Sequence, residues 1–207
     1  MNAQDKIEHL IANGYSIDIR KHLNDGITLF KGTLNTLLPF WALYFFVLVL
    51  SNRLPQASSI VSLFVQPCIE AGTLLVIDKH SRKIEYNFEN CLDGFKIFSS
   101  VFLISILAKF LSVLGLFCLI IPGLYLFVAF SFSLPFVIFF GEELIPALKL
   151  SLRLSNKNFM QMALLALICL GINLLGALLF GSGIIITYPL TSCICYCAFR
   201  HIFGYDE

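Results

Sequence analysis

The chain has 207 residues, 58% of them apolar and 13% charged, with 14 Lys and Arg against 13 Asp and Glu. A water-soluble domain carries about 25% charged residues, so this composition, with a mean hydropathy of +0.86, excludes an ordinary soluble fold. A formal charge of +1 gives no electrostatic reason to bind a nucleic-acid backbone.

Residues 1–33 are more polar than the remainder of the chain and contain neither a short apolar core nor a small-residue cleavage site. They read as a cytoplasmic arm rather than a secretory signal, with Ile17–Phe30 as a weakly amphipathic helix. Residues 34–207 form the predicted transmembrane domain. A spanning helix needs about 20 mostly apolar residues. Six stretches qualify: Leu34–Leu50, Ser58–Asp78, Ile97–Ile120, Pro122–Phe140, Phe159–Phe180 and Ile184–Phe203. Backbone polar groups in lipid are satisfied only in helices or closed barrels. Unbroken apolar runs such as Phe40–Leu50 lack the alternation of a barrel strand. The expected fold is therefore all-α, a membrane protein of about six transmembrane helices.

The cations divide unevenly between the connecting segments. Lys6, Arg20, Lys21 and Lys31 precede the first span; Lys79, Arg82, Lys83 and Lys96 lie after the second. Lys149, Arg153 and Lys157 lie after the fourth, and Arg200 is at the end of the sixth. Arg53 alone falls on the opposite side, and Lys109 lies inside the third span. Positive charge collects on the cytoplasmic side of membrane proteins, which predicts a multi-pass protein with both termini in the cytoplasm.

The spans pair into three parallel helical hairpins, each entering and leaving on the cytoplasmic side. Their far turns are expected at Ser51–Ala57, Ile121-Pro122-Gly123 and Gly181-Ser182-Gly183. A shift of 68 residues superposes Asp25-Gly26 and Phe30 on Asp93-Gly94 and Phe98, and Phe64 and Pro67 on Phe132 and Pro135. Pro189 takes the matching place in a looser third copy. This internal repeat gives copies of one orientation, unlike transporters built from inverted repeats. Pro67, Pro135 and Pro189 each remove a helical hydrogen bond and are predicted helix kinks.

Glu142–Asn158 precedes the third hairpin. Leu148 to Leu154 alternates with a period of two, but a lone strand at a lipid surface would leave its edges unpaired, so a helix is expected. Lys149 and Arg153 then form one stripe, with leucines on two other faces. This is the clearest of the amphipathic cytoplasmic surface helices, and Asn90–Phe98 is a weaker one. Lys149, Arg153, Lys157, Arg82 and Lys83 form a rim able to meet lipid headgroups, including anionic ones.

Inside the spans, Glu70 and Lys109 lie at similar depth. With Gln66 and Asn173, and with Tyr188 nearby, they are the candidate intramembrane polar site. Ionisable groups at this depth are costly and are often functional. The seven cysteines read as small apolar fillers, and Cys193-Ile-Cys-Tyr-Cys197 lacks the His or carboxylate that would complete a metal site. Neither a phosphate-binding loop, HExxH, GxSxG nor a metal-spaced carboxylate cluster occurs. No catalytic residue, metal or cofactor is expected, and the chain does not read as an enzyme.

The residues preceding the first span run L-x-x-G-x-x-L-F-K. Pro67 with Gly72, Asp93-Gly94-Phe95, and Ile121-Pro122-Gly123-Leu124-Tyr125 running to Pro135 come next. Ala147-Leu148-Lys149-Leu150-Ser151, Asn158-Phe159 and Pro189 complete the pattern. From about Arg20 onward the chain resembles the YciC-like bacterial integral membrane proteins, related to the membrane domain found beside glycerophosphoryl diester phosphodiesterases. That resemblance implies a bacterial cytoplasmic (inner) membrane protein of about six helices, without a phosphodiesterase domain and without catalytic residues to carry over. The expected role is non-catalytic: organising lipid, or assisting a protein partner or a second copy of itself, at the cytoplasmic face. The alternative is a small-solute transporter or channel lined near Glu70 and Lys109.

Overall fold

A computed structural model describes residue 15 and residues 18–53, 57–118, 120–178 and 182–203. The described residues form helices and turns without a strand, in the order α1 (Ile19–Ser51), α2 (Ala57–Ser81), a 3-10 turn (Phe88–Leu92), α3 (Asp93–Lys96), α4 (Phe98–Cys118), α5 (Ile120–Ala129), α6 (Ser133–Phe140), α7 (Leu144–Lys157), α8 (Phe159–Leu178) and α9 (Ile184–Phe203). Ile19–Ser51, Ser58–Ser81, Phe98–Gly115 and Phe159–Leu178 are long and apolar enough to cross a membrane. Tyr125–Phe140 is apolar but shorter.

α1 begins where the Asp18 carboxylate accepts from the Lys21 amide, 3.1 Å away. It then runs unbroken through the junction expected near residue 33, so the described end of the arm and the expected first span are one helix. Its 33 residues extend about 50 Å at 1.5 Å per residue. The buried positions His22, Gly26, Phe30, Thr33, Leu37, Phe40, Trp41 and Tyr44 recur every three or four residues and so form one stripe. That stripe packs chiefly against α9, and α2 lies alongside both.

α9 is the most enclosed helix. Pro189, Thr191, Cys193, Ile194, Tyr196, Cys197, Ala198 and Phe199 are all buried, which explains how it carries hydroxyls, thiols and Arg200 where α8 is nearly pure hydrocarbon. On α8, Leu164, Leu167, Leu170, Leu174, Leu175 and Leu178 are exposed. They recur at helical spacing and face outward. A continuous apolar patch of that kind needs a non-aqueous neighbour.

Three details differ from the sequence reading. Ile121-Pro122-Gly123, expected as a far turn, lies within α5. Gly123 passes close beside Gly115 of α4. The expected kink at Pro135 is instead a full break at Phe130–Phe132, because Pro135 lies in the first turn of the new helix α6. The carbonyls left open at the end of α5 are taken up by α7: Ser151 Oγ donates to Ala129 at 2.6 Å, and Ser155 Oγ to the same carbonyl at 3.3 Å. Lastly, Asn90–Phe98 is a 3-10 turn joined to the single-turn α3 rather than one amphipathic helix.

α7 is a helix, as the edge argument required. Ala147, Leu148, Leu150, Ser151, Leu154 and Ser155 are buried, while Lys149, Arg153 and Lys157 are exposed. Two glycines fix how the helices meet. A Cβ on Gly26 would lie 2.6 Å from Ile194 Cγ1, and one on Gly94 would overlap the Cys68 carbonyl and the Gly72 amide. Both crossings admit only hydrogen.

Candidate functional site

Between α1, α2 and α9 lies a polar cluster inside the apolar bundle. Glu70 and Gln66 are one turn apart on α2, which puts both side chains on one face. Gln66 Nε2 donates to Glu70 Oε1 at 2.9 Å, and the Tyr188 hydroxyl of α9 donates to the same oxygen at 2.6 Å. Trp41 of α1 packs its ring on Tyr188, with centroids 4.6 Å apart, and Trp41 Nε1 donates to Thr73 Oγ1 at 3.0 Å. Three helices are thereby tied at one level through a single carboxylate and a single indole.

Glu70 and Lys109, placed at similar depth by the sequence, do not pair. Lys109 is exposed on α4, and among the described residues it makes no ion pair. α4 packs against α2, but Lys109 lies on its outward side. Asn173 also stands apart from Glu70. Its Nδ2 donates to the Cys169 carbonyl at 3.0 Å and to Thr191 Oγ1 at 3.1 Å, tying α8 to α9. Of the four residues singled out inside the spans, then, Gln66 and Glu70 meet, while Lys109 and Asn173 do not join them. Trp41 went unmarked in the sequence, although a sole tryptophan in an apolar helix requires a partner for its N–H. Pro67, Pro135 and Pro189 are all buried.

The second locus is an open groove of about 890 Å³ at the end of the bundle that carries the cations. Asp25 and Thr28 of α1, Ser81 at the end of α2, the loop 83–87 and Arg200 of α9 line it. Its walls are tied together. Tyr86 donates to the Gly32 carbonyl at 3.3 Å and contacts His80 Nδ1 at 3.0 Å. Arg200 Nη1 donates to the Ser81 carbonyl at 3.4 Å. The Tyr196 hydroxyl donates to Asp78 Oδ1 at 2.7 Å, and Arg82 Nε meets the same oxygen at 3.0 Å. Beside the groove, Asp93 bridges Lys79 at 3.2 Å and Lys96 at 2.6 Å. The Lys96 and Asn90 hydrogen bonds hold its carboxyl down at about 2.

All five residues of the expected headgroup rim, Arg82, Lys83, Lys149, Arg153 and Lys157, are exposed. Among the described residues, no three His, Cys, Asp or Glu side chains gather as a metal site would require. Cys68, Cys91, Cys169, Cys193 and Cys197 are buried, and Cys195 is half-buried. The chain matches no family model, no curated protein and no solved structure.

Proposed function

We propose that this chain is a non-catalytic integral membrane protein that organises lipid at the cytoplasmic face of a bacterial inner membrane. In this reading it crosses six times, as three parallel hairpins with both termini inside. The broken helix α5–α6 supplies the fourth crossing and α9 the sixth. The close packing of Gly26 on α9 and of Gly94 on α2 supports the repeat, since each presents the equivalent glycine to the returning helix of another hairpin. The resemblance to YciC-like membrane proteins agrees with this architecture.

The observation that carries the reading is α7. Its apolar face is sunk into the bundle while Lys149, Arg153 and Lys157 remain exposed. In this reading the exposed basic face meets the lipid headgroups. Each basic group near an anionic leaflet contributes about 1 kcal/mol, so the three together would favour anionic lipid by roughly 3 kcal/mol. Thermal unfolding of the protein in nanodiscs tests this. The wild type should be more stable in discs containing anionic phosphatidylglycerol than in neutral ones. Replacing Lys149, Arg153 and Lys157 together by Gln should remove most of that difference. Equal stability of the wild type in both discs would refute the reading.

The alternative, a solute path at Glu70 and Lys109, finds less support. Glu70 is held by Tyr188 and Gln66, and Lys109 lies on another side of the bundle.

A further inference from the structure

Lipid organisation through basic residues alone would be a matter of charge. The groove between α1, α2 and α9 has different chemistry, because it carries both signs. Lys83 and Arg200 supply positive charge; Asp25 and Glu85 supply negative charge in the same cavity. An anion alone would meet two carboxylates there, and a cation alone would meet a guanidinium and an ammonium. A ligand bearing both charges satisfies the lining.

A second observation is independent of the charges. α2 ends with the Ile84 amide bonded to the Lys79 carbonyl at 2.9 Å and the Lys83 amide to the His80 carbonyl at 3.0 Å. This helix ending places Lys83 at φ +58°, the left-handed region, and among the described residues it is the only non-glycine there. Glycine is the usual occupant of that position because it has no Cβ to strain. A lysine in a strained conformation where it lines a cavity points to a use for its ammonium group.

We infer that this groove binds a phosphate-and-primary-amine headgroup, of the phosphoethanolamine kind. Lys83 and Arg200 take the phosphate, and Asp25 and Glu85 accept hydrogen bonds from the ammonium. Arg200 offers a planar fork suited to phosphate oxygens, and Thr28 and Asn87 add neutral hydrogen-bonding groups to the lining. The Tyr86 tie to α1 and the Arg200 bond to Ser81 hold the walls in place before a ligand arrives, which limits the ordering required on binding. The inference rests on the lipid-organising reading and names the headgroup for it. A primary ammonium donates hydrogen bonds that a quaternary ammonium lacks, so phosphatidylethanolamine should be preferred over phosphatidylcholine. The two carboxylates in the lining should place it above phosphatidylglycerol as well.

The test is thermal unfolding of the full-length protein, purified in detergent, with added short-chain phosphatidylethanolamine, phosphatidylcholine, phosphatidylglycerol or soluble phosphoethanolamine. The expected result is the largest rise in Tm with phosphatidylethanolamine. Asp25→Asn combined with Glu85→Gln should abolish its advantage over the other two lipids. Lys83→Gly should raise Tm without lipid, by relieving the left-handed strain, and at least halve the phosphatidylethanolamine shift. Those opposite signs separate a lost ligand contact from a damaged fold. A response to soluble phosphoethanolamine as large as that to the lipid would support the site and assign its ligand to the free pool. Equal shifts with all three lipids, or a preference that survives the double substitution, would overturn the inference. Such a failure, with the anionic-disc dependence of α7 intact, would leave the broader reading standing.

Discussion

Glu70 can be read as a transport residue or as a packing residue, and its hydrogen bonds separate the two. Its Oε1 accepts from both Gln66 and Tyr188, a task that an amide oxygen performs equally well. Glu70→Gln should therefore leave stability within about 1 kcal/mol of wild type. Glu70→Leu strips both donors of their acceptor and should destabilise by about 1–3 kcal/mol. Thermal unfolding in detergent reads both. A Glu70→Gln variant that folds normally but loses a solute flux measured in vesicles would return the transport reading to first place. That Glu70 and Gln66 meet was legible, because a carboxylate in an apolar span is conspicuous and its i−4 neighbour shares its helix face. The sequence groups Lys109 with Glu70 on depth alone. Depth fixes position along the membrane normal but not the side of the helix, and Lys109 lies on the far side.

At the scale of elements, the 3-10 turn and α3 are secured to α2 by charge as well as by close packing. Asp93 lies between Lys79 of α2 and Lys96 of α3, and its carboxyl is held at about 2 against an ordinary 3.8. A carboxylate lowered in the folded state stabilises fully above its unfolded value and loses that contribution as pH falls through the folded one. The contribution of Asp93 should thus be complete above about pH 5 and should fade between about pH 4 and pH 2. Asp93→Asn should lower Tm at pH 7, and its deficit should shrink toward zero at about pH 2. A deficit that stays constant over this range would show that the ion pairs are not its cause. The helical nature of α7 was legible despite its period-two leucines, because the membrane penalises an unpaired strand more than the pattern rewards one. The break in α5–α6 was not legible. The Ala129 carbonyl at its edge is met by the hydroxyls of Ser151 and Ser155, and no local pattern reveals a partner more than twenty residues away.

For the whole molecule, the exposed and the enclosed helices differ in composition, a division that hydropathy alone does not mark. α8 exposes its leucines, whereas α9, poorer in hydrocarbon, is surrounded by α1, α2 and α8. A purely hydropathic view would rank α9 the weakest span, yet its hydroxyls and thiols are what an enclosed helix can carry at no cost in lipid contact. This matters for topology, because the charge asymmetry needs α9 to cross if both termini are to lie on one side. Single cysteines at Arg53, Lys83, Glu142 and Lys157, labelled with a membrane-impermeant thiol reagent, report on the earlier crossings, and one at His201, which should react only from the cytoplasmic side, reports on α9. The background is favourable, since five of the native cysteines are buried and Cys118 can be replaced by Ala. Positions 83, 142 and 157 should react only from the cytoplasmic side, and position 53 only from the opposite side. Should position 83 label with position 53 instead, α2 would not cross. The groove, the basic stripe of α7 and Asp93 could not then share one leaflet, and the lipid-organising reading would lose its geometric basis.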